Sequence, residues 1–351
     1  MRPALIILIW MLGILLPQSG SAQFRKKNKS VTSRNFAIQP IGPGIWAAIH
    51  NDDQGQSICN AGIVDLGDKV LIFDPFMNPS AAEELKALAE EMTGKYVGYV
   101  INSHFHNDHI RGNQVFSNEA TIISTAFTRK EIERIEPAEQ RWEEQHAPGL
   151  LQATKKRMSV AVAAEQEELT YWIGYYQGMV ESAGRLQMTL PNITFQDSLW
   201  IRGRDRSVKL EERRNGHTSS DAVLLIPDAG VIFMGDLLFA QRHPWLSDGD
   251  PVGWQQSLQK YYEDTRYTTY IPGHGPVSGK ETLKELYVYF DRLNFLAKEA
   301  GSDSLQNIVL QSQIPEAFQH WGLRRFYHPN LQYLLNNRIK LYGALKLRKE
   351  E

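Results

Sequence analysis

The chain has 351 residues, of which 42% are hydrophobic and 22% charged, and its formal net charge is -2 at pH 7. This length can bury one large core and carry additional segments, so we expect one main domain with accessories. A net charge so close to zero provides no electrostatic footprint for nucleic acid, which disfavours a protein that binds or cleaves RNA or DNA.

The first residues have the features of an export signal. Arg2 precedes an apolar stretch over residues 4–16, and the small residues Gly20, Ser21 and Ala22 suit a signal peptidase. A transmembrane anchor would need about 20 apolar residues, which is more than this stretch supplies. We therefore predict a signal peptide over 1–22, a periplasmic or secreted mature protein, and no stable membrane anchor after cleavage.

A domain over residues 37–299 is predicted to follow a polar linker at 23–36. Apolar runs bounded by turn residues indicate its first strands and a helix between them. The strand patterns lie at 36–38, 45–49, 70–73, 97–101 and 120–124, and the helix pattern at 81–92.

Residues 127–190 interrupt this strand pattern with a composition rich in Glu, Ala, Gln, Lys and Leu, which is typical of helices. We predict a helical insertion here, with helical patterns over 131–144, 150–158 and 161–188 that are interrupted at Pro137 and at Pro148-Gly149. Three of its aromatic residues are candidates for lining a substrate cleft, although such spacing more often reflects packing between helices. These are Trp142, Trp172 and Tyr175.

The densest group of polar residues follows the strand pattern that ends at Ile101. His104-Phe105-His106-Asn107-Asp108-His109 contains four potential metal ligands in six residues. Imidazoles and a carboxylate crowded together lose hydration and repel one another unless a cation lies among them. Alternate side chains of an extended segment share one side, so His104 and His106 can bind one ion while the following turn presents Asp108 and His109 to a second.

Similar residues occur downstream at the ends of other apolar runs. His217 lies in Asn-Gly-His-Thr after a strand pattern at 208–210, and Asp236 ends the buried-looking run 231–236. His274 lies in Pro-Gly-His-Gly. The adjacent glycines allow the backbone to turn tightly and bring these side chains inward.

In this order, the motifs closely resemble those of the metallo-β-lactamase superfamily, over roughly residues 40–290. The resemblance implies an α/β fold, a four-layer αβ/βα sandwich with two metals at one edge of the paired sheets. It also implies a ligand set in which Asp236 bridges the metals. The first metal would be bound by His104, His106 and His217, and the second by Asp108, His109 and His274.

The resemblance extends to two supporting carboxylates. Asp74 matches the family's aspartate after its second strand, which orients a ligand histidine, and Asp221 is a further acceptor beside His217. Many members have glycine at the position of Ser220. A bridging Asp236 is unlike the well-known lactam-cleaving enzymes and resembles the thioesterase, lactonase and general hydrolase branches. His106 replaces the glutamate of the di-iron, oxygen-reducing branch, which argues against redox chemistry.

Nitrogen and carboxylate ligands without thiolate suit two zinc ions, although iron or manganese can also occupy such a site. Two ions about 3.5 Å apart would share a water, lower its pKa and direct it at a carbonyl or another electrophile, with Asp108 and Asp236 as the catalytic carboxylates. No serine or cysteine nucleophile is needed. Cys59 cannot form an internal disulfide and is expected to lie away from the catalytic motifs.

We therefore predict an exported di-zinc hydrolase that acts on a small-molecule ester, thioester, lactone or lactam. Hydrolysis of phosphodiesters or sulfate esters on the same metals is an alternative. A non-catalytic metal- or ligand-binding module is another, against which the complete ligand set argues. Neither the substrate within the class nor the oligomeric state follows from these residues.

Two further groups of residues lie outside the motifs. His243 and Trp245, in the loop after Asp236, can either reach the cleft or pack within the loop. A helix is predicted over 280–298, and 300–351 is predicted to be a C-terminal helical extension. Its His320 and His328 are expected to be packed or surface histidines, because neither lies in a glycine-flanked loop at a strand end.

Overall fold

Two β-sheets provide the framework of the computed structural model, which describes residues 33–299 and 311–347. The predicted signal peptide and most of the predicted linker lie outside these residues. The first sheet has seven strands, paired in chain order. They are β1 (Phe36–Gly42), β2 (Ile45–His50), β3 (Ala61–Asp65), β4 (Val70–Phe73), β5 (Val97–Ile101), β6 (Thr121–Thr125) and β7 (Ile193–Phe195).

The first sheet changes from antiparallel to parallel pairing at β4. The pairs from β1 to β4 are antiparallel, whereas β4 to β7 run parallel. The carboxyl ends of these parallel strands therefore meet at one edge of the sheet. That edge carries Asp74 after β4 and His104 after β5.

The second sheet has the order β12-β11-β10-β9-β8, and its β11 and β12 are also parallel. Its strands are β8 (Ser198–Arg202), β9 (Ser207–Arg214), β10 (Ser220–Ile226), β11 (Val231–Phe239) and β12 (Thr269–His274). An apolar cluster joins the two sheets, with Leu71 and Val64 from the first and Leu224 and Phe233 from the second. The seven buried residues of β10 reflect this position, because a central strand covered on both faces exposes no side chain.

Helices cover the outer face of each sheet. The helix α1 (Pro79–Thr93) packs Leu85 and Leu88 against the first sheet, with Asn78 capping its start. The helices α6 (Pro251–Glu263) and α7 (Lys280–Glu299) pack against the second sheet in a separate apolar cluster. The layers therefore run helix, sheet, sheet, helix, which confirms the predicted αβ/βα sandwich.

Two long helices occupy the segment predicted as an insertion, after the short helices α2 (Asn107–Ile110) and α3 (Asn113–Phe116). The first, α4 (Ala126–Met158), runs through Pro137 and Pro148, so the prediction that the helical patterns are interrupted at these prolines was wrong. Its buried face continues past both, at Ile132, Ala147 and Leu151. Packing along this face retains the helix although each proline removes one backbone hydrogen bond. The second helix is α5 (Ala163–Ser182).

The C-terminal segment packs onto the second sheet's helices. Short 3-10 turns at Glu316–Phe318 and Arg324–Phe326 precede α8 (Tyr327–Leu347), which lies within the predicted C-terminal helical extension. Trp321 and Leu331 belong to the same apolar cluster as Trp254 of α6. Among the helices of the described residues, none combines the length and the apolar character that crossing a bilayer requires.

Candidate metal centre

The predicted ligands converge where the strands of both sheets end. His104 follows β5, His106 caps α2, and Asp108 and His109 lie within α2. His217 lies in the turn between β9 and β10, Asp236 in β11, and His274 at the end of β12. Within each of two groups, the ligand atoms all lie within 4.8 Å of one another. One group is His104, His106, His217 and Asp236, and the other is Asp108, His109 and His274.

The carboxylate of Asp236 lies between the two groups. Its Oδ2 is 3.4 Å from Nε2 of His217 in the first group and 3.4 Å from Nε2 of His274 in the second. Its Oδ1 is 3.2 Å from Nε2 of His109. This is the position that a bridging ligand requires.

Unsatisfied buried atoms indicate that cations fit this site. Nε2 of His109 and Oδ1 of Asp236 are both buried and lie 3.2 Å apart, but neither makes a well-aligned hydrogen bond to any of the described residues. Buried polar groups without partners are costly and rare, and a divalent cation between these atoms would satisfy both. The donor set of imidazoles and carboxylates fits zinc, iron or manganese.

The two groups of ligands differ in protonation when no cation is bound. Nearby carboxylates outweigh burial and raise the pKa of His109 well above its usual value and that of His274 to about 9, so a cation must displace a proton from each of these imidazoles. Burial lowers the pKa of His104 well below its usual value and that of His217 to about 3, so both imidazoles are neutral and have a free lone pair. Burial alone would raise the pKa of Asp236, but the charges of His274 and His109 outweigh it and hold that pKa well below its usual range. Asp236 is therefore an anion.

Asp74 supports a ligand from each group. Its Oδ2 is 2.9 Å from Nδ1 of His109 and accepts a hydrogen bond of 2.7 Å from Oγ of Ser103. The Ser103 hydroxyl in turn lies 2.9 Å from Nδ1 of His104. These contacts leave Nε2 of both histidines facing the cluster, which is the arrangement expected of an orienting carboxylate. Gly235 lets β11 pass close to Ser103, because a Cβ at residue 235 would lie 2.7 Å from Cβ of Ser103.

Asp221 holds the turn that carries His217. The Asp221 carboxylate accepts two hydrogen bonds from Thr218, one from the backbone N–H at 3.1 Å and one from the side-chain hydroxyl at 2.8 Å. Burial outweighs these bonds and raises the pKa of Asp221 to about 7. Ser220 does not have a positive φ, so glycine is not required there. Its hydroxyl instead donates to Glu212 at 2.8 Å.

A family model for the metallo-beta-lactamase superfamily matches residues 55–274, which include all seven predicted ligands. The chain belongs to this superfamily. Among solved structures, it is similar to a metallo-beta-lactamase from Pontibacter korlensis, with 14% identity, a TM-score of 0.52, and coverage of 73% of this chain and 99% of that one. It is also similar to TMB-1, with 16% identity, a TM-score of 0.51, and coverage of 74% and 98%. No curated protein sequence matches it significantly.

Membership of this superfamily, together with the assembled ligand set, makes the chain a metal-dependent hydrolase by class. The likeness to the two solved structures concerns the fold, because their sequences are less than one fifth identical to this chain. The individual ligand roles remain predictions that the geometry supports.

Asp248 is a site residue that the sequence analysis missed. Its Oδ2 lies 3.2 Å from Nε2 of His106 and accepts a hydrogen bond of 2.9 Å from the indole of Trp245. The contact with His106 lowers the pKa of Asp248 to about 2. It lies in the loop between β11 and α6, and no superfamily motif marks it. The sequence Ser247-Asp248-Gly249 indicates a turn but nothing about a contact with His106.

Cys59 lies beside the site, so the expectation that it is remote from the catalytic motifs was wrong. Its thiol donates to the backbone carbonyl of Asp108 at 2.9 Å. Cys59 immediately precedes β3, whose start lies beside the carboxyl end of β4 and therefore at the metal edge. Burial raises the pKa of the thiol to about 12, so it is protonated and not a nucleophile.

A cavity of about 500 Å³ opens onto the ligand cluster. His106, Asp108, Asp236 and His274 form part of its lining. Four of the five predicted substrate-contact residues also line it, namely Trp142, Trp172, Tyr175 and Trp245. The sequence analysis missed the part of the lining that follows residue 311, including Arg325 and Phe326.

His243 is the fifth candidate, and it does not line this cavity. Its side chain is fully buried, with Nδ1 3.1 Å from the hydroxyl of Tyr289 and the ring packed against Trp321 and Tyr327. The loop turns this residue into the core and the neighbouring Trp245 outward to the cleft. The possibility that His243 contacts substrate is therefore replaced by a packing role.

Proposed function

We propose that this protein is an exported di-zinc hydrolase that cleaves a small ester, thioester, lactone or lactam. The observation that carries the proposal is that two groups of potential metal ligands lie side by side and that four of their seven residues, His106, Asp108, Asp236 and His274, line one cavity. Export rests on the signal-peptide pattern at residues 1–22. Zinc is favoured over iron and manganese because four-coordinate nitrogen and carboxylate sites suit it best.

The chain's own residues supply the positioning and proton chemistry of such a reaction. When bound, two zinc ions would lower the pKa of a water and polarise the substrate's carbonyl oxygen. Asp108 lies in the cavity lining, with Oδ2 3.3 Å from Nε2 of His274, where its carboxylate can orient a water and accept its proton. Asp236 lies between the two groups as an anion whose pKa is held well below its usual range, so it would hold the cations and position the water more than accept a proton.

The cavity favours a carbonyl substrate of drug-like size. Its volume of about 500 Å³ is within the range of small-molecule sites, and its walls are largely aromatic. The insertion helices supply Trp142, Trp172 and Tyr175. Such a wall buries apolar groups beside the metals and leaves the reacting carbonyl at the ligand cluster.

A turnover screen tests the proposal. The zinc-loaded mature protein is assayed on matched lactam, lactone, thioester, aryl ester, phosphodiester and sulfate ester substrates, with His217→Ala as the ligand variant. Asp205→Ala, at an exposed loop ion pair, is the control. We expect turnover of at least one carbonyl substrate, abolished by chelation and by His217→Ala. Turnover confined to phosphodiesters or sulfate esters would overturn the assigned substrate class, and turnover that survives chelation would overturn the metal mechanism.

A further inference from the structure

We propose that Arg325 binds an anionic group of the substrate, so that preferred substrates carry a free carboxylate or a similar oxyanion in addition to the bond that is cleaved. This inference rests on the proposed function and narrows its substrate class. Arg325 lies outside the segment that the superfamily model matches, in the C-terminal part of the chain.

Arg325 is held at the cavity by two aromatic residues of α5. Its guanidinium carbon lies 3.8 Å from the ring centroid of Trp172, and Nη1 donates to the hydroxyl of Tyr176 at 3.1 Å. Stacking on an indole fixes the plane of a guanidinium and leaves its remaining N–H donors available. The side chain is therefore oriented in advance of ligand binding.

The charge of Arg325 has no carboxylate counterpart in the part of the chain that the structure describes. The backbone N–H of Arg325 faces Glu168, but no ion pair to its guanidinium occurs among these residues. By contrast, the buried Arg111 is paired with both Glu136 and Glu143. An oriented, unpaired guanidinium in a cavity is suited to binding a planar oxyanion through two parallel hydrogen bonds.

The other charged groups of the cavity do not offer Arg325 a partner. Glu143 accepts hydrogen bonds from Arg111 at 2.5 Å and from Asn107 at 2.8 Å. Asp248 is occupied by His106 and by the indole of Trp245. Burial and the neighbouring Glu136 raise the pKa of Glu139, and no ion pair joins it to Arg325 among the described residues.

One molecule can contact both Arg325 and the ligand cluster, because Arg325, Asp108 and His274 line the same cavity. Phe326, which follows Arg325, packs against Trp172 and Trp245, with ring centroids 5.6 Å and 5.2 Å away. An acyl compound with an apolar body would thus lie along these rings, with its anionic group at Arg325 and its scissile carbonyl at the metals.

The neighbouring Arg324 provides a matched control. Its Nε donates to the backbone carbonyl of Trp321 at 3.3 Å, and its side chain lines a different surface depression. Substituting Arg324 removes the same charge one residue away without changing the cavity at the metals. Any long-range effect of net charge would therefore be equal in the two variants.

The test measures binding of two non-hydrolysable probes to the zinc-loaded protein by calorimetry. Phenylacetate carries the carboxylate, and phenylacetone has the same shape without charge. We expect Arg325→Gln to reduce the preference for phenylacetate over phenylacetone about tenfold, the usual effect of losing a charge-assisted pair. Arg325→Lys should retain part of the preference, and Arg324→Gln all of it. Each titration is repeated with chelator present, so that binding of the single carboxylate to the metals cannot mask its contact with Arg325, and the preference is judged from the metal-free series.

Two results would overturn the inference. An unchanged preference in Arg325→Gln would show that the carboxylate does not contact this residue. An equal loss of affinity for both probes would show that Arg325 only supports the aromatic wall. Because neither probe is turned over, the outcome is independent of the turnover screen, and failure of one experiment is distinguishable from failure of the other.

Discussion

Asp74 shows how much of the site depends on one buried carboxylate. Its backbone adopts φ 57°, a left-handed conformation that only a few non-glycine residues favour, and this places its carboxylate beneath His109 and Ser103. The sequence predicted this residue because its position after a buried strand matches the superfamily pattern. The contact through Ser103 to His104 was not predictable, since nothing in the local sequence indicates it.

We predict that Asp74→Asn lowers zinc affinity about 10- to 100-fold, the usual effect of losing an orienting partner of a ligand histidine. The amide cannot accept equally well from both Ser103 and His109. Competition with a chromophoric chelator measures the affinity, and Asp68→Asn, at an exposed position in the β3–β4 turn, is the control. An unchanged affinity would show that the imidazoles are held by packing alone.

His243 provides a pH prediction at a site away from the ligands. Burial lowers its pKa from 6.5 to about 3, so the unfolded state takes up a proton at higher pH than the folded state does. Its contribution to stability is therefore complete above about pH 6.5 and is lost as pH falls toward 3. At pH 5, which is about 1.5 units below the pKa of the unfolded state, the free energy of unfolding should have fallen by about 2 kcal/mol.

The substitution His243→Gln should remove this part of the pH dependence. Unfolding free energies measured by urea titration between pH 7 and pH 5, with chelator present, should fall less steeply in the variant. The other buried histidines titrate in both proteins and cancel in the comparison. If the unfolding free energy depended on pH equally in the wild type and in His243→Gln, His243 would not be neutral in the folded protein.

Among the elements, α4 is attached to the metal-ligand segment by a buried ion network. Nε of Arg111, just after α2, donates to Glu136 at 2.7 Å, and Nη1 donates to Glu143 at 2.5 Å. Glu143 also accepts from Asn107, next to the ligand Asp108. This charged network therefore joins the insertion helix to the metal edge through residues that are remote in sequence, and it was not predicted.

Arg111→Met should destabilise the protein by about 3–5 kcal/mol, because it leaves two buried carboxylates without a counter-charge. Replacing Glu136 and Glu143 by Gln in the same chain should recover part of the loss. Arg134→Met, which removes an exposed ion pair of the same helix, should cost less than about 1 kcal/mol. Urea unfolding measures all three, and equal effects of Arg111→Met and Arg134→Met would refute the network's importance.

The helix α5 is expected to set substrate size, whereas the metals set the type of reaction. Trp172→Ala should change relative kcat/KM among substrates of different size by about 1–3 kcal/mol, with zinc content unchanged. Trp200→Ala, on a half-exposed strand residue outside the cavity, is the control. Equal losses on every substrate, together with a lower melting temperature, would instead indicate that Trp172 only packs the helix.

At the scale of the whole molecule, the sandwich and the ligand set followed from the resemblance to the superfamily, which could be recognised because its motifs are local. Apolar runs end in glycine-flanked His or Asp residues, and parallel pairing places those ends at one edge. The far wall of the cavity was not predictable. Arg325 and Phe326 reach it through packing of the C-terminal segment on α5, which joins residues more than 140 positions apart. Likewise, no local pattern distinguishes the inward His243 from the outward Trp245.

The central claim is that two cations bind per chain, with Asp236 between them. Its most direct test is the zinc content of the purified mature protein after equilibration with excess zinc and desalting, measured by mass spectrometry for the wild type and Asp236→Ala. We predict a wild-type content near two ions per chain and a clear loss in the variant. A wild-type protein that saturates at one ion, and a variant that binds as much as the wild type, would contradict the account.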